Sequence, residues 1–302
     1  MKCLIVYNPY SGNGRMERYV EDLKRKYSPD YKEIVLFTPF SPGSITKYIR
    51  NNVHIYSLLV ICGGDGTFNE ALNGIMQAKR RPPIVYFPTG TCNDIGRLLG
   101  IRHMSIRKEI KNSDEWVFSK MDVCRCGERY FTYASAFGKF TEVSYTAPVS
   151  NKKVLGRGAY FYECFKYLPK KSEIDLTLNA NGKTVTGKYN CVLALNTQNV
   201  AGMHFYRFKP CKINDGLMDV TLIKRKNMFS LLNLGMFFIL GDVWKTGVEN
   251  LTTSKVSIKT KQEVIYNLDG ERAFKTNQSE IEVIKQAIEI KMSKKSYDKY
   301  CK

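Results

Sequence analysis

The sequence predicts an α/β first half with a mostly parallel sheet, and an antiparallel sandwich or barrel in the second half. Three observations carry this. Short apolar runs alternate with helical stretches up to Gly100. Two of those runs end in small-residue turns that carry an acid, Gly63-Gly64-Asp65-Gly66-Thr67 and Thr89-Gly90-Thr91-Cys92-Asn93-Asp94. Beyond Gly100, alternating strands and hairpin turns take over.

Taken in order, Lys2 to Tyr7 reads as a buried strand, followed by the turn-rich loop Asn8-Pro9-Tyr10-Ser11-Gly12-Asn13-Gly14. Arg15 to Lys26 reads as a helix with a charged outer face, and Lys32 to Thr38 as the second strand. Pro42-Gly43-Ser44 opens the next helix, with Ser44 as its expected cap. Ser57 to Ile61 is a third strand, and Glu70 to Met76 lies in the helix after it. Ile84 to Phe87 is a fourth strand, and Ser105 to Asn112 a short helix. Trp116 to Gly127 and Arg129 to Ala134 form a hairpin, the predicted switch between domains.

Ile174 to Leu178 alternates apolar and polar residues, and Asn179 to Lys183 turns it into the strand Lys188–Asn196. Leu217 to Ile223 is a further strand. Val256 to Thr260 and Val264 to Asp269 are predicted as a pair, and Ile281 to Met292 alternates as a strand. Helices are expected at about Gly158–Leu168 and Phe229–Gly241. The lysine-rich tail with Tyr297 and Tyr300 reads as a frayed terminus.

Composition narrows the function classes. A chain of 302 residues suits two domains of ordinary size. Its 47 basic and 28 acidic residues give a net charge of +19, a field that attracts phosphorylated substrates, polyanions or anionic membranes. The charge is spread along the chain, so no nucleic-acid stripe is evident. Nine cysteines match neither a disulfide framework nor a zinc site, and Cys124-Arg125-Cys126 is too tight for a zinc knuckle. His54, His103 and His204 match no metal motif. Met1-Lys2 leads straight into a strand with no signal peptide, so a reducing cytoplasm is expected. Met228 to Leu240 is too short and polar to span a bilayer, and reads as a buried helix or as a surface helix near a lipid.

The turns point to phosphate. Glycine lets the backbone approach a ligand closely, and free N–H groups at a helix start favour an oxyanion. Neither a Gly-x-Gly-x-x-Gly fingerprint nor a Walker loop is present at these turns. Asp65, Asp94 and Asp122 each end a strand or start a helix and could gather at one sheet edge. Asp269-Gly270-Glu271 follows a strand-like run, where an acid could reach across a cleft to a hydroxyl. Two residues apart in a strand, both acids would face one way.

At these residues the chain resembles the bacterial soluble diacylglycerol kinases and the wider group holding sphingosine and ceramide kinases. The resemblance rests on Asn8-Pro9-x-Ser-Gly-x-Gly14, Gly63-Gly64-Asp65-Gly66-Thr67-x-Asn69-Glu70 and Pro88-x-Gly-Thr-x-Asn93-Asp94-x-x-Arg97-x-Leu-Gly100, with Asn214-Asp215-Gly216-x-x-Asp219-Val220 and Leu268-Asp269-Gly270-Glu271 further on. All stand in family order. Small departures occur at Cys62 and Cys92, and Arg272-Ala273-Phe274-Lys275 is less typical.

The resemblance implies a phosphofructokinase-like domain over 1–125, rejoined by about 284–302, and a β-sandwich over 126–283 carrying the lipid site. It implies ATP held by Asn8, Pro9, Tyr10, Ser11, Gly12, Thr38, Gly63, Gly64, Asp65, Gly66, Thr67, Phe68, Asn69 and Thr91. A catalytic Mg²⁺ would be served by Asp65, Asp94 and Asp122, partly through water. A structural Mg²⁺ would take the Asp215 side chain with the carbonyls of Lys212 and Leu217. Asp269 is the favoured base, with Glu271 as partner or rival. The expected reaction phosphorylates diacylglycerol to phosphatidic acid at a membrane surface, by transient contact with anionic lipid from the cytoplasmic side. Another lipid alcohol, such as a sphingoid base or phosphatidylglycerol, is the alternative acceptor. The Asn8-Pro9 loop and Leu268–Glu271 argue against a NAD kinase, and the set of acids against a non-catalytic binding module. A homodimer stays open.

Overall fold

The computed structural model describes residues 1–11, 17–101, 106–138, 173–197, 199–200, 203–204, 212–224 and 248–302. The helices expected near 158–168 and 229–241, and Gly12, lie outside them.

Strand β1 (Lys2–Tyr7) has Cys3, Leu4, Ile5 and Val6 fully buried. A parallel strand covered on both faces is apolar at consecutive positions, which is why this run does not alternate. It lies between β2 (Glu33–Phe37) and β3 (Leu58–Gly63), parallel to both, with Leu4 opposite Val35 and Leu59. β4 (Ile84–Pro88) continues the parallel set beside β3. The connections hold helices α1 (Glu17–Tyr27), α2 (Ser44–Asn52) and α3 (Asp65–Met76). α1 turns Val20, Leu23 and Tyr27 inward, a helical spacing. Ser44 does not cap α2. Gly43 holds the cap position at φ +79°, and the Ser44 hydroxyl donates instead to the Ser41 carbonyl at 2.6 Å. Short helices α4 (Asp94–Leu98) and α5 (Ile106–Asn112) follow β4.

β5 (Val117–Cys126) and β6 (Arg129–Phe131) form the predicted hairpin through Gly127 at φ +59°. After β7 (Ala134–Gly138), β8 (Ile174–Ala180) and β9 (Lys183–Leu195) turn at Asn181 and Gly182, both with positive φ, as a two-residue hairpin requires. β10 (Asn199–Val200) and β11 (Met203–His204) are a small separate pair. β12 (Met218–Lys224), β13 (Val248–Thr253), β14 (Lys255–Leu268) and β15 (Glu271–Met292) complete the antiparallel strands.

The predicted pair at 256–260 and 264–269 is one strand, β14, whose register slips between Lys259 and Val264 without reversing. Thr260-Lys261-Gln262-Glu263 offers no glycine, proline, asparagine or aspartate to make a turn. Its hairpin partner is β15, which starts at Glu271, well before the expected Ile281.

The described residues form a mixed α/β fold with a 13-stranded sheet. β15 joins its two characters, antiparallel to β14 and β5 but parallel to β4 at Ile290–Ile84. One buried cluster surrounds β1, β3 and β4, with Leu59, Phe68 and Tyr86 among its members. Another, with Leu178, Tyr189 and Tyr266, lies among β8, β9 and β14. The tail is not frayed. α6 (Lys294–Tyr300) is capped by Ser293, whose side chain accepts from the Ser296 N–H, and Tyr300 is buried in the first cluster. No helix among the described residues is long and apolar enough to cross a membrane.

Candidate active site

Two glycine turns leave neighbouring strands side by side. β3 ends at Gly63, and Gly64 caps α3; β4 ends at Pro88, and Thr89-Gly90 leads to α4. A Cβ built on Gly90 would lie 2.6 Å from the Gly64 Cα, so the two backbones occupy space that a side chain would need. The Thr89 N–H donates to the Gly63 carbonyl at 2.8 Å. Asn93 closes its own turn by accepting from the Gly90 N–H at 2.9 Å and donating back to the Gly90 carbonyl at 2.8 Å. The first loop is tied in as well: Asn8 donates to the Thr67 hydroxyl at 3.1 Å, and the Thr89 hydroxyl to Ser11 at 3.1 Å.

A cavity of about 490 Å³ opens against these loops, with Asn8, Ser11, Gly64, Thr67, Phe40 and Glu70 among its lining residues. Asn8, Tyr10, Ser11, Gly64, Gly66 and Thr67 thus come together as expected. Thr38 and Thr91 are exposed and are not part of its wall. The Phe68 ring is fully buried, edge-on to Tyr86 at 4.9 Å, so it serves the core.

Asp65 and Asp94 meet. The Asp65 carboxylate accepts from the Asp94 N–H at 3.2 Å and the Ile95 N–H at 3.3 Å. Burial pushes the Asp65 carboxyl above its ordinary pKa, against the pull of these backbone donors and Arg97. Arg97 stands 3.9 Å from Asp94. Asp122 has other company. It is fully buried on β5, and its oxygens accept from the Gly216 and Gln286 N–H groups, each at 2.6 Å. Burial, with the nearby Asp215 charge, raises its pKa while those donors and Lys285 lower it. In the same loop Asp215 accepts from the Leu217 N–H at 2.9 Å, and the Lys212 ammonium donates to the Lys302 carbonyl at 2.6 Å. Among the described residues no three His, Cys, Asp or Glu side chains are grouped to hold a metal by themselves.

From the other half of the chain, the β14–β15 turn reaches α3. Asp269 and Gly270 both have positive φ, +49° and +85°. The two acids therefore flank a turn and do not share a strand face, and they part company. Asp269 is sealed in. One of its oxygens accepts from the Thr132 N–H at 2.7 Å, the Thr132 hydroxyl at 3.0 Å and Asn69 at 3.2 Å. The other accepts from the Tyr133 N–H at 2.9 Å and the Ala134 N–H at 3.0 Å. Burial outweighs those donors and pushes its pKa up to about 6. Glu271 faces the glycine turn. A Cβ on Gly66 would be only 3.2 Å from its Oε1.

A buried amide pair fixes this approach. The Asn73 side chain donates to the Tyr130 carbonyl at 3.0 Å and accepts from the Tyr130 N–H at 3.0 Å, standing in for a strand partner at β6. Asn69 donates to the same carbonyl at 3.3 Å. Thr132, Tyr133 and Asn73 were invisible as site residues in the sequence, since their roles are made by contacts between distant segments. Glu70 and Phe40 were missed too. Pro39 and Pro42, turn formers after β2, were the available signal for a loop at the cavity.

Known proteins resemble this chain in sequence and in fold. Residues 2–126 match the family model described as the diacylglycerol kinase catalytic domain. The diacylglycerol kinase of Bacillus subtilis (strain 168) is 26% identical over 273 residues, covering 89% of each chain. That of Staphylococcus aureus (strain bovine RF122 / ET3-1) is 29% identical, covering 89% of this chain and 86% of the relative. The crystal structure of a diacylglycerol kinase from Bacillus anthracis str. Sterne superposes with a TM-score of 0.76 at 18% identity, covering 98% of both chains. A second structure from that organism reaches 0.82 at 20% identity, covering 98% of this chain and 96% of the other. The protein is a phosphotransferase of the kinase class. Residues 2–126 are similar to the diacylglycerol kinase catalytic domain, and most of the chain is similar to the bacterial diacylglycerol kinases named above.

Proposed function

We propose that the protein transfers the γ-phosphoryl group of ATP to the free hydroxyl of diacylglycerol, giving phosphatidic acid. The observation that carries this reading is Glu271 Oε1 beside Gly66, which brings an acid from the second half to the glycine turns of the first. Backbone N–H groups at the start of α3 and around Gly90 would cradle the phosphates. Glu271, not Asp269, is the base in this reading, because both Asp269 oxygens are taken by donors. Glu271 would accept the acceptor hydroxyl's proton as that oxygen bonds to the γ-phosphorus and the bond to the ADP oxygen breaks.

The half-buried Asp65 carboxylate rests on the Asp94 backbone N–H, and the buried Asp94 carboxylate has one guanidinium 3.9 Å away, two acids to one cation, a surplus of negative charge that suits a hydrated Mg²⁺. Bound there, the ion would neutralise charge on the phosphates. Asp122 is proposed as an outer member of that set, through the loop at Gly216. Asp215, with the carbonyls of Lys212 and Leu217, is the proposed structural Mg²⁺ site, supported by the negative charge that Asp122 and Asp215 share. The division into 1–125 with 284–302, phosphofructokinase-like, and 126–283, a sandwich, is supported by the two separate buried clusters.

The net charge of +19 supports transient docking on an anionic bilayer from the cytoplasmic side. Stronger sedimentation with anionic than with neutral vesicles is expected, and equal binding would refute it. The reaction is tested with purified protein, Mg²⁺, ATP and a panel of lipid alcohols. Phosphatidic acid should be the main product. Preference for a sphingoid base or phosphatidylglycerol would move the acceptor and keep the chemistry.

A further inference from the structure

Asp94 and Asp122 depend on small elements for their place. α4, which starts at Asp94, has only five residues. A helix that short does not hold itself together in water, so its position is set by what it packs on. The loop 212–217, which grips Asp122, is neither helix nor strand. One segment touches both. The Ser293 N–H donates to the Leu99 carbonyl, at the end of α4, at 2.9 Å. Gly100, at φ +72°, leaves room for the Ser293 and Ser296 side chains: a Cβ there would overlap both hydroxyls. At the far end of α6, the Tyr300 carbonyl accepts from the Ile213 N–H at 3.1 Å, and the Cys301 carbonyl from the Asn214 side chain at 3.4 Å. Ile213 passes the tie on. Its own carbonyl accepts from the Asp122 N–H at 2.7 Å, while the Gly216 N–H holds the Asp122 carboxylate at 2.6 Å. The segment between is anchored: Ser293 caps α6, Tyr300 is buried, and the Ser119 hydroxyl on β5 donates to the Cys301 sulfur at 3.2 Å. Among the described residues no hydrogen bond runs directly between 99–101 and 212–217.

We propose that residues 293–301 are a positioning strap for phosphoryl transfer: one piece sets Asp94 through α4 and Asp122 through Ile213, so the two acids shift together. This rests on the reading of those acids as serving Mg²⁺. The strap need not touch a substrate. It acts because a rigid element held at both ends carries a displacement from one end to the other. A disturbance at Gly100 therefore loosens the loop at Ile213 and Gly216.

Amide hydrogen exchange on the full-length protein, read peptide by peptide by mass spectrometry, tests the coupling. Gly100→Ala drives a methyl group into Ser293 and Ser296. Gly182→Ala is the control, with a similar φ of +71° and nothing within 4 Å of its Cβ. Exchange across 212–217 should rise by about fivefold or more in Gly100→Ala, the effect of a modest local loosening. It should stay at the wild-type rate in Gly182→Ala. With ATP and diacylglycerol micelles, at a temperature where both variants are folded, kcat should fall in Gly100→Ala alone. The Mg²⁺ concentration for half-maximal rate should rise with it, a change that lost stability by itself would not produce. Should Gly100→Ala fail to fold, Ser293→Ala, which removes the α6 cap, carries the same expectation at 212–217. Faster exchange confined to 99–101 and 293–296 overturns the proposal. So does faster exchange at 212–217 with kcat and the Mg²⁺ requirement unchanged. A wild-type protein that phosphorylates no lipid would remove the kinase reading, while the exchange result still decides the coupling by itself.

Discussion

Asn69, on α3, donates to the Asp269 carboxylate at 3.2 Å across 200 residues of sequence. That bond ties the helix that starts at the glycine turn to the β14–β15 turn, and it is why Glu271 comes to rest beside Gly66. The carboxylate is a hub. Its remaining acceptor sites hold the backbone of Thr132, Tyr133 and Ala134, which leads from β6 into β7. Asp269 thus holds α3, the β14–β15 turn and residues 132–134 together.

Replacing Asp269 by asparagine puts an NH2 group against backbone N–H donors. At least two donors lose their acceptor inside a sealed pocket. The expected cost is about 2–4 kcal/mol of stability at neutral pH. Urea unfolding should show the midpoint falling, with kcat falling alongside it. A fully stable, inactive Asp269→Asn would instead mark this carboxylate as the base.

Glu271→Gln should behave in the opposite way. Among the described residues no hydrogen bond or ion pair leans on this side chain, so the unfolding midpoint should stay within about 0.5 kcal/mol of wild type. Turnover should drop by about 10²–10⁴, the usual contribution of a positioned general base. ATP affinity, read by calorimetry, should hardly move. A variant with unchanged turnover would remove Glu271 from the chemistry.

The raised pKa of Asp269 gives a sign for pH dependence. Burial lifts it from 3.8 to about 6. Between those values the folded chain holds a proton that the unfolded chain has released. The Asp269 contribution therefore favours folding at the acid end of the window and is lost as pH rises through it, by at most about 3 kcal/mol. Urea midpoints from acid to neutral pH, compared with Asp269→Asn, isolate this share. The gap between wild type and variant should narrow with rising pH. A widening gap would mean that the donors, not burial, control the carboxyl.

Much of the parallel region was readable because its signals are local. Consecutive apolar residues in β1 and β3, and the glycine turns after β3 and β4, declare themselves within a few positions. So do the hairpin turns at Gly127 and Asn181-Gly182, which need positive φ. The Asp-Gly turn was legible as a turn, but not the fact that it would separate Asp269 from Glu271, since a two-residue spacing reads equally well as a strand. Asp122 shows the same limit. Its sequence context is that of an ordinary strand, and its partners at Gly216 and Gln286 lie far along the chain. Nor could Glu70 be told from any other helix-surface acid, because the cavity it lines is shared with Pro39, Phe40, Ser41 and Pro42 from a distant segment.

Gly90 provides a test of how closely the two turns must meet. A methyl group there would meet the Gly64 Cα at 2.6 Å, and backbone cannot rotate away as a side chain can. Gly90→Ala must push the β4 turn off the β3 turn, costing about 1–3 kcal/mol as overpacking. The displacement falls on the backbone proposed to hold the phosphates, so ATP affinity should fall by more than the stability loss alone accounts for. Gly182→Ala is the matched control. A methyl there meets nothing within 4 Å, and its cost comes only from holding φ at +71°. It should lose about 1 kcal/mol of stability and leave nucleotide affinity unchanged. Equal ATP binding by both variants, measured at a temperature where both are folded, would show that the contact between the turns serves the fold and not the phosphates.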